Sequence, residues 1–398
     1  MNTIKISSYE SGSQLREIVR CCGAPLLLLD CNTVRHQYRS LSQALPGVEF
    51  YYAVKSLSHP DILKTLAEEG AGFDIASSGE IEKVRSLKIS PRQTIHTHPI
   101  KRDQDIRDAL RYGCTTFVID NMDELVKFLP YKERVGLLLR VSFRSDSAVV
   151  DLSKKFGCSI ENARGLLEAA AKLGVHIKGL SFHTGSQCTS PDKQVEAVEA
   201  CNVLIRMHHD LGAAPLSILD IGGGFPISYN GGAIDINSFC MPICRALAQL
   251  PPYVSVIAEP GRFISGPSMT SVSTVMGKAV RAGMHWYYLD DGVYGSFSGQ
   301  IYDHARYPLE VFSDKDNRLA SVLAGPTCDS IDVIAEDILL PELNIGDIVA
   351  GHMMGAYTAA SATEFNSFPK TKIVTLNQVN LPIFPSIIPS SLYSSTIH

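Results

Sequence analysis

The sequence predicts an α/β fold: a (β/α)8 TIM-like barrel accompanied by a second, mostly antiparallel β domain. Three observations carry that prediction. Between residues 48 and 260, short apolar runs alternate with amphipathic segments. The apolar runs number eight, the strand count that a closed barrel requires. After Gly266 helical periodicity fades, and strand-like runs punctuated by Gly, Pro and Asp take over. A doubly wound open sheet is the competing arrangement for the first part, and the count of eight favours the barrel.

The candidate barrel strands are Val48–Val54, Gly72–Ala76, Thr94–Thr97, Thr115–Ile119, Val135–Val141, Ile177–His183, Ser217–Ile221 and Val254–Glu259. Helical patterns between them include Pro60–Glu69, Gly79–Leu87, Asp103–Arg111, Ile160–Leu173, Gln194–Leu211 and Ile236–Leu247. The second domain draws on Thr270–Val280, Trp286–Leu289, Ala320–Leu323, Asp347–Ala350 and Lys372–Leu376. The early run Pro25–Leu29 would join it. These readings put the barrel at residues 31–266 and the β domain at 1–30 and 267–384. They leave a Ser- and Pro-rich tail, 385–398, expected to be poorly ordered.

Composition narrows the function classes. The 398 residues can bury a large core, and 45% hydrophobic with 19% charged content is ordinary for a soluble protein. A net charge of -5 gives no electrostatic case for nucleic acid or an anionic membrane. Met1–Val19 carries no signal-peptide pattern, and no apolar stretch has membrane-spanning length. The 10 cysteines include no CxxC pair and no Cys/His metal spacing. The expectation is a cytoplasmic protein without a metal, most of its cysteines being small buried hydrophobes.

Lys55 closes the apolar run Val48–Val54 and so holds its ammonium at the rim of a packed core. Such a lysine finds a partner, snorkels to water, or loses its proton to desolvation. A deprotonated lysine in a pocket attacks aldehydes and forms a Schiff base. The other chemically suggestive residues also sit at C-terminal ends of proposed strands, the face on which barrel active sites lie. Asp74, Ser77 and Glu80 follow the second strand, and His183 ends the sixth. Gly222-Gly223-Gly224 follows the seventh, and Glu259 ends the eighth. The glycines allow backbone amides to approach an anion, or else mark a tight turn. Glu259-Pro260-Gly261-Arg262 adds a carboxylate and a guanidinium, readable also as a surface ion pair. A lysine, a phosphate site and a carboxylate able to face a pyridine nitrogen are together what pyridoxal phosphate needs.

Ala53-Val54-Lys55, His183-Thr184-Gly185-Ser186, Gly222–Gly224 and Glu259–Arg262 resemble the motif series of the barrel-fold (fold type III) pyridoxal-phosphate decarboxylases. Asp290-Asp291-Gly292-Val293-Tyr294-Gly295-Ser296-Phe297, Tyr302-Asp303-His304, Gly325-Pro326-Thr327-Cys328-Asp329-Ser330 and Gly355-Ala356-Tyr357-Thr358 resemble its ornithine decarboxylase branch in particular. The matches are collinear from about residue 24 to 377. Thr184 departs from the small aliphatic residue usual there.

The resemblance implies pyridoxal 5'-phosphate carried on Lys55, with Glu259 on the ring nitrogen and His183 stacked on the ring. Ser186, Gly224, Gly261, Arg262 and Tyr357 would bind the phosphate. Asp74 and Glu80 would line the cofactor pocket, although a helix N-cap is the other reading of Ser77-Ser78. Cys328 would return a proton to the α-carbon, a step that suits a thiol. Asp303 and Asp329, with Tyr302 beside them, would bind the distal amine of the substrate. The implied reaction is decarboxylation of L-ornithine to putrescine, with lysine or mixed lysine/ornithine turnover as the alternative. Diaminopimelate decarboxylase fits less well, since that relative usually has Glu-Ser after the cysteine where this chain has Asp329-Ser330. Alanine racemases lack the Cys328-Asp329 block. A catalytically dead, regulatory homologue would have lost the lysine, the cysteine or the phosphate ligands, and all are present. The implied assembly is a homodimer with shared sites, in which Lys155 pairs with Asp332 of the other chain.

Overall fold

Four consecutive leucines, Leu26–Leu29, form strand β1, and all four are buried. The computed structural model describes residues 12–143, 155–229, 232 and 234–376. The expected tail at 385–398 lies outside the described residues. The chain divides into two units: Arg35–Ile227 with Ile234–Ile264, and Met1–Val34 with Ser228–Ala233 and Ser265–His398.

The first of these is the barrel. Its strands are β2 (Val48–Ala53), β3 (Gly72–Ile75), β4 (Thr94–His96), β5 (Thr116–Ile119), β6 (Gly136–Val141), β7 (Ile177–Phe182), β8 (Ile218–Asp220) and β9 (Ser255–Ala258). They close in sequence order, and β9 returns to β2 in parallel register, Val256 opposite Val48. The open-sheet alternative is excluded. Ile95, Val118, Leu138 and Ile257 pack together with Tyr51 and Ile218 against them. All eight strands fall where the apolar runs predicted, each within two residues at either end. The helices begin where side chains can cap them. Ser77, Asn121 and Ser159 accept from the backbone N–H three residues on, satisfying a donor the first turn leaves over.

The other unit is a β domain. Strands β10 (Met269–Arg281), β11 (Met284–Leu289), β12 (Leu309–Phe312), β13 (Leu319–Ala324), β14 (Val333–Leu340) and β15 (Ile348–Gly351) form a sheet in the order β12-β15-β10-β11-β13-β14. β1 joins β10 antiparallel and β16 (Lys372–Thr375) parallel. The pairing is mostly antiparallel, as predicted; β11–β13 and β1–β16 are the parallel pairs. Leu15 and Ile18 of the helix Gly12–Cys22 pack on Leu26, Leu28, Val272, Ile348 and Ala350. Each fully buried aliphatic side chain there contributes about 1.5–3 kcal/mol.

β12 and β14 were not foreseen, and both are edge strands. β12 has no fully buried residue, and β14 carries Asp337 at φ 53° with a register shift against β13. Edge exposure and a bulge erase the two-residue alternation by which a strand is recognised. Among the described residues no helix is long and apolar enough to cross a membrane.

Candidate active site

Lys55 lies one residue beyond the predicted strand character, in the 3-10 turn Val54–Ser56 that follows β2. Its side chain is 42% exposed, and Nζ donates to Asp74 Oδ2 at 3.0 Å. Asp74, on β3, is 1% exposed, and its other oxygen accepts from Thr97 Oγ1. Snorkelling is therefore accompanied by a buried counter-ion. Ser77 is the N-cap of the helix Ser78–Ser86, which settles the alternative raised for it. Glu80 accepts from Ala76 N at 2.7 Å, and burial raises its carboxyl above the usual range.

After β8 the loop Gly222–Gly224 turns sharply, with φ of 65° at Gly222 and 92° at Gly224. A Cβ would lie 2.3 Å from Phe182 O at Gly222, 2.7 Å from Glu259 O at Gly223 and 2.4 Å from Gly185 O at Gly224. Those neighbours are backbone and cannot yield. The carbonyls of all three glycines are held: Gly222 O by Glu259 N (2.8 Å), Gly223 O by Gln194 Nε2 (3.0 Å), Gly224 O by Cys188 N (3.1 Å). Gly222 N donates to Asp220 Oδ1 at 2.9 Å. The N–H groups of Gly223 and Gly224 have no acceptor among the described residues. The tight turn thus leaves two adjacent N–H groups of the kind that can meet an anion.

Ser186 Oγ accepts from Arg262 Nε and one terminal nitrogen at 3.3 and 3.2 Å. Glu259 and Arg262 are 7% and 6% exposed, so the surface ion pair is excluded. Gly261 allows a close approach to the lysine turn, where a Cβ would sit 3.1 Å from Ser56 Cβ. Thr184 is buried, its hydroxyl 3.5 Å from Cys188 Sγ.

Loss of hydration, then the neighbouring Asp220 and Asp74 charges, hold the Glu259 carboxyl well above the ordinary range; Lys55 opposes them. Loss of hydration raises the buried Asp220 carboxyl as well. His183 is half-buried, and loss of hydration with the Arg140 and Lys55 charges keeps its ring neutral. Gly185 N donates to His183 Nδ1 at 3.1 Å, which leaves the ring proton on Nε2. That nitrogen is 3.3 Å from where a Cβ on Gly223 would be.

The β domain carries the remaining predicted residues. Cys328 is exposed, with its N–H and Sγ 3.1 and 3.2 Å from Asn366 Oδ1. Asp329 accepts from the Tyr294 hydroxyl at 2.5 Å; this bond holds the Asp329 carboxyl low and pushes Tyr294 up to about 12. Tyr294 in turn stacks on Phe365, ring centroids 4.3 Å apart. Asp303 is half-buried behind the short helix Gly299–Tyr302, and Tyr302 is 62% exposed. Tyr357 holds a left-handed backbone, φ 55°, of the kind a non-glycine residue adopts under local constraint.

Asp332 is 2% exposed, and its carboxylate accepts from Val293 N at 2.8 Å and from Thr327 N and Oγ1 at 3.0 and 2.7 Å. These are its contacts within one chain; the pairing with Lys155 of another subunit stays with the proposed homodimer.

Several residues escaped sequence reading. Asp220 ends β8 and ties Ser181 Oγ (3.2 Å) to the glycine loop; its place just before three glycines was a usable signal. Arg140 stands near Glu259, Asp120, Asp220 and Asp74, and a lone arginine in the run Gly136–Val141 could have been noticed. Gln194 gave no signal.

A phosphorylated pyridine aldehyde needs an amine, an anion cradle and a partner for its ring nitrogen. The rim fits on all three counts: Lys55, the two loop N–H groups without an acceptor among the described residues, and the buried carboxyl of Glu259. The family model for the pyridoxal-dependent decarboxylases, pyridoxal binding domain, matches residues 31–266. The chain is similar to the lysine/ornithine decarboxylase of Vibrio vulnificus, solved with cadaverine, at 53% identity and a TM-score of 0.89, covering 93% of this chain and 97% of that one. It is 37% identical over 359 residues to a lysine/ornithine decarboxylase of Selenomonas ruminantium (90% and 91% covered). It is 35% identical over 350 residues to an ornithine decarboxylase of Mus pahari (83% and 76% covered). The chain belongs to the pyridoxal-dependent decarboxylase family and is an amino-acid decarboxylase that uses pyridoxal 5'-phosphate.

Proposed function

We propose that this chain converts L-ornithine to putrescine and carbon dioxide, and that it accepts L-lysine by the same route. The observation that supports this best is the barrel rim, where Lys55 with its buried counter-ion, Glu259 and the glycine loop occupy strand ends of one closed barrel. Turnover of lysine is favoured by the likeness to two lysine/ornithine decarboxylases. One methylene separates the substrates, which a pocket discriminates by only about 1–3 kcal/mol.

Pyridoxal 5'-phosphate, when bound, supplies the electron sink for the bond that breaks at the α-carbon. Lys55 would hold the cofactor through its amine, with Asp74 orienting that amine. Glu259 would pair with the ring nitrogen and keep it protonated, and neutral His183 would offer a flat face to the ring. The Gly224 N–H, Ser186, Gly261, Arg262 and Tyr357 would bind the phosphate. Cys328 Sγ would deliver a proton to the α-carbon once carbon dioxide has left. Asp303 and Asp329, with Tyr302 beside them, would hold the distal ammonium, since two carboxylates are best balanced by a cation between them. The proposed working unit is a homodimer in which one subunit supplies Lys55 and the other supplies Cys328 and Asp329.

Carbon dioxide release from L-ornithine, L-lysine, L-arginine and meso-diaminopimelate, measured in parallel, tests the substrate reading. Ornithine and lysine should both be consumed. Turnover confined to arginine or diaminopimelate would reject it.

A further inference from the structure

Gln194 stands in the first turn of the helix Asp192–Asp210, outside every motif of the family resemblance. It is fully buried. Its Nε2 donates to Gly223 O at 3.0 Å, while its Oε1 has no partner among the described residues. A buried acceptor without a donor is costly, and an apolar side chain of the same length would avoid that cost. What the amide supplies and an apolar chain cannot is the hydrogen bond to Gly223.

That bond has a directional consequence. Gly223 C=O and Gly224 N–H belong to one planar trans peptide and point in opposite directions. Fixing the carbonyl towards the helix therefore fixes the Gly224 N–H away from it. The flanking carbonyls, Gly222 O and Gly224 O, are held by backbone N–H groups of Glu259 and Cys188. Gly223 O alone in the loop depends on a side chain, and glycine φ and ψ are otherwise free to rotate that peptide. We propose that Gln194 is a positioning residue of the phosphate cradle, holding the Gly223–Gly224 peptide so that the Gly224 N–H faces the anion. This rests on the cofactor site proposed above.

The test uses the full chain stripped of cofactor and titrated, by visible absorbance, with pyridoxal 5'-phosphate and with pyridoxal, which has the same ring and aldehyde but no phosphate. Gln194→Met keeps the side-chain length and deletes the donor. It should weaken pyridoxal phosphate binding about tenfold, the value of one hydrogen bond to an anion-binding peptide, and leave pyridoxal within about twofold. Equal losses for both ligands would mean a packing role, and no loss would mean that the loop holds itself; either overturns the proposal. Should Gln194→Met not fold by circular dichroism, Gln194→Asn, one methylene too short for the contact, is read by the same criteria. If the unaltered protein binds pyridoxal as tightly as its phosphate, the cradle reading itself fails, a result distinct from the failure of Gln194.

Discussion

Lys55 Nζ lies 3.0 Å from Asp74 Oδ2, an exposed ammonium held by an aspartate that is 1% exposed. The pair gives the lysine a fixed direction at the strand end while leaving it open to an incoming aldehyde. Lys101 is the instructive contrast. Burial lowers it to about 8, yet it is 3% exposed, and its Nζ donates to His98 O, Pro99 O and Val118 O. Borohydride reduction of the cofactor-loaded protein followed by peptide mapping should therefore put the pyridoxyl group on Lys55. A label on Lys101 would reverse the assignment, and a colourless purified protein would favour a non-catalytic binder.

With the thiol acting after decarboxylation, as proposed, Cys328→Ala should still release carbon dioxide. The proton would then be delivered to the wrong carbon in some turnovers, and product analysis should find an aldehyde and pyridoxamine phosphate beside the diamine. Clean diamine at the unaltered rate would reduce Cys328 to a packing residue.

If Asp303 binds the distal ammonium as proposed, Asp303→Ala removes one charge-assisted hydrogen bond worth roughly 1.5–3 kcal/mol. Catalytic efficiency on L-ornithine should fall about tenfold or more. Unchanged efficiency in steady-state assays would exclude this role.

Shared sites can be tested by complementation. Lys55→Ala subunits, which are inactive, and Cys328→Ala subunits, which form diamine in only part of their turnovers, should yield more clean diamine when mixed than either gives alone. Random exchange makes half the dimers mixed, each with one good site of two, so recovery should approach about a quarter of the unaltered activity. No recovery, with exchange demonstrated by mass spectrometry, would place each site within one chain.

His96 offers a pH prediction away from the proposed chemistry. It is fully buried with neither ring nitrogen partnered among the described residues, and burial followed by the Lys101 charge lowers it to about 4. An unfolded histidine titrates near about 6.5, so the unfolded chain takes up this proton first as pH falls. The stability that depends on neutral His96 is present above about 6.5 and is lost towards about 4. His96→Phe should relieve unpaired polar atoms, roughly 1–3 kcal/mol, and gain further on acidification. Urea melts at pH 7.5 and 5 should diverge; an equal gap at both would exclude His96 as the titrating group.

The sequence by itself determined the eight barrel strands, most of the helices between them (Met122–Lys127 was not foreseen) and the residues that end those strands. Apolar runs bounded by turn residues report burial on both faces of a parallel strand, and Lys55, Gly222–Gly224 and Glu259 stand at chain positions where that burial stops. Tertiary structure decided what those residues touch. Register between β8 and β9 brings Asp220 opposite Ile257, two residues before Glu259 and 37 positions away along the chain, a distance that no local period encodes. It likewise brought Gln194 under Gly223 and turned Asp332 inward onto Val293 and Thr327. Periodicity records how much water each residue loses on folding; which partner replaces that water is fixed only when strands from distant parts of the chain close into one barrel.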